Sequence, residues 1–449
     1  MAAKRENFGS RWAVVFAMAG SAIGLGNIWR FPYIVGQNGG AVFILIYLLC
    51  VIFLSLPIFI SETIIGRRTS ANTFGAMETL APGTKWKWLG LLSVVSSIII
   101  LSYYSVVGGW SIGYLFLSVK GFDQDVTSIF SRFSTNAWMP LLCHTVFLVA
   151  TAVIVSGGIK NGIEKFNKVS LPLLFVLILL TAVYSIMLPD SREGVEYLLK
   201  PDFSKVNPRT FAYAMGQGFF SLSLGVGTIL TYASYMKKDT DILKTGVGTA
   251  GFDMVFALIA GFAVMPAVFA AGNEPGTGPG LVFETLPYIF VKMGGGFPVI
   301  SRIVSILFFL TIVIAALTSS ISMFEVGTAY LVEEKKMDRR KAVVWIFAVI
   351  WLLGVLCSLS FCPLSEAKIF GLNIFSFCDT LSSNFLMTLG ALLFVVFTGW
   401  KMDRKTVWEV FTNNGKIRFN CRIFGLVFFL IRYVAPVVIL VIFLSSLFL

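Results

Sequence analysis

Two pairs of glycines stand where glycine is costly. Gly24 and Gly26 interrupt the apolar run SAIGLGN, and Gly225 and Gly227 interrupt the run SLSLGVGT. Glycine weakens a helix because it loses the most backbone freedom on ordering. In a hydrocarbon environment, a loosened stretch leaves N–H and C=O groups that need partners. A carboxylate suits the N–H groups at a half-helix start, and a metal cation suits the free carbonyls. Small residues also serve close helix packing. The recurrence of the pair, once near the start of the chain and once where its second half opens, favours a binding site. Asp253 lies in another apolar segment, where a charge is expensive and generally functional. Thr318, Ser319 and Ser320 place hydroxyls on a further such segment, where they suit a hard cation or bond back to their own helix. Enzyme chemistry has little to work with. His144 is the one histidine, and the cysteines include no CxxC pair. Neither a transition-metal cluster nor a nucleophile–base pair is expected, and no catalytic residue is assigned.

These residues must be held by membrane-embedded elements. The chain has 449 residues, 57% hydrophobic and 13% charged, against about 45–50% and about 25% for ordinary soluble domains. Eleven stretches approach the length a bilayer requires. They lie near 12–36, 41–66, 88–118, 138–156, 166–188, 211–236, 246–271, 299–332, 342–360, 369–398 and 423–448. In lipid each must be a helix, which predicts an all-α polytopic membrane protein. The net charge of +12 resides largely in short loops on one side of these spans. It therefore reads as the positive-inside bias and not as a nucleic-acid surface. The bias places the N-terminus in the cytoplasm and, after eleven spans, the C-terminus outside the cytoplasm. The charged start MAAKRENFGSRWA leads straight into a long apolar span, which predicts a cytoplasmic arm over 1–11 with no cleaved leader. The cell's inner, or plasma, membrane is the expected location, and the bilayer the expected surrounding.

Three segments carry a family resemblance. GSAIGLGNIWRFPYIVGQNGGAVF over 20–43, QGFFSLSLGVGTILTYASY over 217–235 and AALTSSISMFE over 315–325 are similar to the first, sixth and eighth helices of the neurotransmitter:sodium symporters, most of all the bacterial amino-acid branch. The resemblance implies two inverted repeats of five helices, over 12–188 and 211–398, with discontinuous helices 1 and 6. The stretch 423–448 would be an added eleventh helix. It also implies a secondary transporter that couples sodium to import of an amino acid by alternating access. A sensor that binds without transport, or a channel, is the alternative.

The resemblance further implies two sodium sites. One would use the Ala22 carbonyl, Asn27, Ser221, Asp253 and the substrate carboxylate. The other would use carbonyls of Gly20, Ile23 and Ala315 with hydroxyls of Thr318 and Ser319. Here Asp253 stands where the family usually has Asn, and Ser221 where it has Thr. Tyr47 and Gln217 remain from the chloride-site pattern, whereas Ala257 replaces a common Ser. The extra carboxylate predicts that chloride is not required.

The substrate carboxylate would meet N–H groups near Leu25 and Gly26, with Tyr104 donating. The amine would meet carbonyls around Ala22, Phe220 and Ser223. Gly24 stands where amine-transporting members carry Asp, which points to an amino acid. Its side chain would face Ile100, Tyr104, Phe220, Val226, Ser319 and Met323. That lining is apolar and uncharged, so hydrophobic or aromatic amino acids are expected. Arg30 and Asp379 would close an outer gate above Tyr104 and Phe220. Arg5 and Glu333, steadied by Tyr235, would close an inner one. Gly162 and Pro172 are read as a hinge in the fifth span, because proline removes a backbone donor. Glu62 and Glu325 are further intramembrane acids with no assigned role. The preferred amino acid and a homo-oligomeric state are left open.

Overall fold

The computed structural model describes residues 6–122, 128–272, 282–293 and 298–448. Helices dominate it. The one sheet among the described residues is a hairpin pairing Lys368–Ile369 with Leu372–Asn373. Nine helices among the described residues are long and apolar enough to cross a membrane. Arg11–Ala22 and Gly26–Gln37 make a tenth if taken as one span bent by 52°. The stretch read as a span over 211–236 forms two short helices, Pro208–Ser221 and Thr228–Ser234. The physical reason lies between them: Ser223, Gly225 and Gly227 all have positive φ, at 52°, 82° and 76°. No helix runs through such backbone.

Polar residues set where the helices begin. Ser10 caps Arg11–Ala22, accepting from the Ala13 N–H. Asn207 and Thr210 form a reciprocal capping box ahead of Pro208, and Asp241 caps Ile242–Ala270. Such caps satisfy N–H groups that the helix itself leaves orphaned. Within the helices, hydroxyls of Ser93, Ser111, Thr151 and Thr181 return to carbonyls four residues earlier. Their polarity is thereby contained inside the bundle.

Burial is inverted relative to a water-soluble fold. Large apolar side chains such as Val176, Leu180 and Val437 are exposed on the outer surface, while Asn27, Glu62, Asp253 and Glu325 are fully buried. A surface of this kind suits lipid. Lys87–Lys120 and Pro298–Glu334 pack along each other through the centre, and Ile242–Ala270 packs along Lys165–Ile186. These four hold the broken pair between them.

Glycine brings one broken segment against a neighbour. A Cβ at Gly225 would collide with the Met387 carbonyl oxygen, and a Cβ at Gly390 would collide with the Gly225 carbonyl oxygen. The backbones therefore touch directly. Gly216 has open space around its Cβ position. Gly225→Ala and Gly390→Ala should each cost about 1–3 kcal/mol of stability, while Gly216→Ala should be neutral or stabilising by up to ~1 kcal/mol. Thermal unfolding of the three variants in detergent checks the contrast.

Candidate functional site

The first break is short. Ile23 takes an extended conformation, with ψ 105°. The chain then re-enters helix as a wide π turn over Gly26–Arg30. The freed groups find local partners: Gly24 N–H donates to Asn27 Oδ1 at 3.2 Å, and Leu25 N–H to the Tyr104 hydroxyl at 3.1 Å. The second break lies beside it, because the Ser223 hydroxyl donates to the Ser21 carbonyl at 2.9 Å. Gly225 N–H donates to Glu62 Oε1 at 2.7 Å.

Asp253 is the centre of a buried cluster between the breaks. Its Oδ1 accepts from Asn27 Nδ2 at 2.7 Å, and both its oxygens accept from the Ser221 hydroxyl at 2.8 Å. The Tyr47 hydroxyl reaches Oδ2 at 3.4 Å. Gln217 donates to the Gly26 carbonyl at 3.2 Å. Every one of these partners is neutral. A carboxylate in this setting lacks the counter-charge that burial demands.

A second oxygen cluster faces the other side of the first break. Thr318 Oγ1 lies 3.2 Å from the Ile23 carbonyl and 2.9 Å from that of Ala315. The Ser319 hydroxyl lies 3.2 Å from the Ser21 carbonyl and 3.3 Å from that of Ile23. Gly20 approaches Thr318, since a Cβ there would sit 3.4 Å from Thr318 Cβ. Carbonyl and hydroxyl oxygens of this kind can serve as donors to a hard cation.

Between the breaks is a cavity of about 30 Å³. Ala22, Gly24, Gly26, Ser223 and Ser319 supply its polar side, and Ile100, Tyr104, Phe220, Val226 and Met323 its bulk. Ser21 and Met387 also line it. Leu25 instead faces a wider vestibule of about 460 Å³, which Arg30 and Asp379 also line. Tyr104 and Phe220 border both spaces. Arg30 lies over the Phe220 ring, 4.8 Å from its centroid. Among the described residues no direct ion pair joins it to Asp379, which accepts from the Ser383 hydroxyl at 3.1 Å.

The model of the sodium:neurotransmitter symporter family matches residues 5–125 and 122–449. This chain belongs to that family. It is 34% identical to the uncharacterized sodium-dependent transporter YhdH of Bacillus subtilis, over 98% of each chain. It is 35% identical to an uncharacterized sodium-dependent transporter of Haemophilus influenzae, over 99% of each. Among solved structures it is similar to MhsT in complex with L-phenylalanine, at 39% identity and a TM-score of 0.89, covering 99% of this chain and 100% of that one. The chain is thus a multi-pass membrane protein of a sodium-dependent transporter family and not of an enzyme family.

The residues expected to form an inner gate lie elsewhere in the fold. Arg5 lies outside the described residues. Glu333 accepts from the backbone and side chain of Asn72 at 2.7 and 3.0 Å. Tyr235 donates to Glu325 Oε1 at 2.7 Å. Arg339 forks onto both oxygens of Glu325, at 3.1 and 2.5 Å, and donates to the Val155 carbonyl. Sequence reasoning named Glu325 and Glu62 as acids but not their partners, because those partners lie on other helices. Met387 and Ser21 carry no local signal that would place them at the cavity. Gly162 sits in a π turn over Ile159–Glu164, and Pro172 lies inside the continuous helix Lys165–Ile186.

Glu325 is fully buried and Arg339 is a quarter exposed. Removing the cation strands the carboxylate, so Arg339→Ala should cost about 3 kcal/mol, and adding Glu325→Gln should restore much of it. A double-mutant cycle of thermal unfolding in detergent checks this.

Proposed function

We propose that this chain is a secondary active symporter that imports hydrophobic or aromatic L-amino acids together with sodium, by alternating access. The observation that carries the reading is the pairing of two helix breaks around one small cavity, with a buried carboxylate bonded to Asn27 and Ser221 and a hydroxyl–carbonyl cluster at Thr318 and Ser319. The resemblance to MhsT, solved with L-phenylalanine, supports the substrate class. So does the lining, which has no charged side chain and includes Ile100, Val226, Met323 and Met387.

Two sodium ions are the proposed co-substrates. The first would be held by the Ala22 carbonyl, Asn27, Ser221 and Asp253, completed by the amino acid's own carboxylate. Ion and substrate then share a ligand, which couples their affinities reciprocally. The second would be held by the carbonyls of Gly20, Ile23 and Ala315 with Thr318 and Ser319. Asp253 gives the first site a fixed negative charge, so a chloride ion has nothing to add. Gly24 admits no longer side chain, since a Cβ there would lie 2.7 Å from the Tyr104 hydroxyl and collide with the Ser319 hydroxyl. The negative charge at the amino-acid site must then come from the substrate.

We place eleven spans in the chain, with 208–234 crossing as a broken sixth. The first ten would form inverted repeats over 12–188 and 211–398, the N-terminus lying in the cytoplasm of a cell whose inner or plasma membrane holds the protein. Arg30, Asp379, Tyr104 and Phe220 would close the outer path. Arg5 and Glu333 would close the inner one, with Gly162 and Pro172 as the hinge.

In proteoliposomes an inward sodium gradient should drive accumulation of labelled leucine or phenylalanine above the equilibrium level. Aspartate and lysine should compete poorly. Accumulation that ignores the sodium gradient would sink the symport reading. Replacing chloride by gluconate should leave uptake unchanged. Asp253→Asn should lower sodium-dependent uptake by at least roughly tenfold, a loss of about 1.4 kcal/mol in ion affinity. Wild-type uptake that collapses in gluconate would remove the role given to Asp253.

A further inference from the structure

Arg432 is an arginine inside an apolar span, and the site described above does not use it. It lies on the Arg418–Leu444 helix, level with the end of Ile374–Lys401. A guanidinium at membrane depth requires an anionic partner or a route to the interface. Among the described residues, neither Arg432 nor Arg404 has an ion-pair partner. Arg432 lies among aromatic rings, with Cζ 4.7 Å from the centroid of Trp400, 5.5 Å from Tyr433 and 5.9 Å from Phe428. Its Nε is buried without a hydrogen-bond partner.

The surroundings fix this arginine in place. A Cβ on Gly399 would sit 2.9 Å from Arg432 Cα, so the two helices touch backbone to backbone. The Trp400 indole N–H donates to the Arg432 carbonyl at 2.8 Å. Both helices widen into π turns here, over Phe397–Lys401 and Leu430–Val434. A π turn breaks the regular ladder, which lets an outside donor reach a carbonyl. Arg404 adds a second guanidinium over the same Phe428 ring, 5.5 Å from its centroid. The neighbouring Asp403 carboxylate is engaged in capping, accepting from the N–H groups of Lys405 and Thr406. Lys401 is exposed beside them.

Outward from this cationic corner the surface turns apolar. Trp400 and Tyr433 are 57% and 46% exposed, and Val437 and Val441 continue from Tyr433 at four-residue spacing, 62% and 59% exposed. Four-residue spacing places the three on one face of the helix. A row of this kind, leading away from fixed cations and flanked by interfacial aromatics, matches a lipid with its head at the arginines and its chains along the helix.

We propose that Arg432 and Arg404, with Trp400 and Tyr433, form a site for the phosphate headgroup of an anionic membrane lipid, whose acyl chains lie along Tyr433, Val437 and Val441. Net negative charge is part of the claim. Two arginines beside Lys401 would repel the ammonium of a zwitterionic head.

The test uses the full chain, purified and stripped of lipid, without sodium or amino acid, so that it is independent of transport. Phosphatidylglycerol and phosphatidylcholine are offered in turn, and retained lipid is counted by native mass spectrometry alongside thermal unfolding. Wild-type protein should retain phosphatidylglycerol at least about tenfold more tightly than phosphatidylcholine and be stabilised by it. Arg404→Gln should weaken that retention about tenfold, and Arg432→Gln with Arg404→Gln should abolish it. Arg404 is exposed, so its variant keeps the test valid if the double variant does not fold. Equal retention of the two lipids, or retention unchanged in Arg404→Gln, overturns the proposal. Stabilisation by inorganic phosphate equal to that by phosphatidylglycerol overturns the lipid assignment.

Discussion

Every backbone polar group at membrane depth must find a partner inside the protein, and this requirement organises the rest of the molecule. Continuous helices meet it by themselves. The two broken segments do not, and their neighbours are chosen accordingly. Glu62 takes the Gly225 N–H, Tyr104 takes the Leu25 N–H, Asn27 takes the Gly24 N–H, and Ser223 and Ser319 donate to the Ser21 carbonyl. Apart from Asn27, three residues on from Gly24, each partner comes from a different helix or from the opposite break. The breaks are therefore not loose spots. They are the points at which the long helices are bonded to one another.

The same requirement sorts the buried acids by what they are matched with. Glu325 has a full counter-charge in Arg339 and a hydroxyl from Tyr235, so it is a structural pair whose value lies in remaining intact. Glu62 is turned onto the backbone of the second break. Asp253 accepts from three neutral donors, Asn27, Tyr47 and Ser221, and among the described residues has no ion-pair partner. Among these acids, Asp253 is the one proposed to take its counter-charge from an ion.

Much of this architecture was legible in the sequence, because composition and glycine placement act locally. The paired glycines announced both breaks, and the apolar runs announced most of the spans. The stretch 211–236 shows how far this reaches: Gly225 and Gly227 marked its break, but nothing local marked that Ser223 shares their positive φ. Residues drawn to the cavity across several helices were harder still. Ser21, Met387 and the Glu62 contact depend on how helices distant in sequence cross. The bond from the Tyr235 hydroxyl to Glu325, and the Arg339 fork on the same carboxylate, likewise depend on where helices distant in sequence meet.

The size of the cavity completes the argument. About 30 Å³ is close to the volume of one water molecule, whereas ligand pockets usually run to roughly 300–1,000 Å³. The structure is thus contracted around the breaks, with Tyr104 and Phe220 between the cavity and the vestibule. Tyr104 accepts the Leu25 N–H, so on the proposed reading a substrate carboxylate would have to take over that bond. Phe220 is held under Arg30 by a cation–π contact, and moving it means moving the guanidinium as well. Met323 and Met387 fill the remaining space with unbranched, flexible side chains that can yield to a larger guest. On the proposed reading, filling the cavity and opening its roof would be one event, because Tyr104 and Phe220, which would meet the guest, also border the vestibule above it.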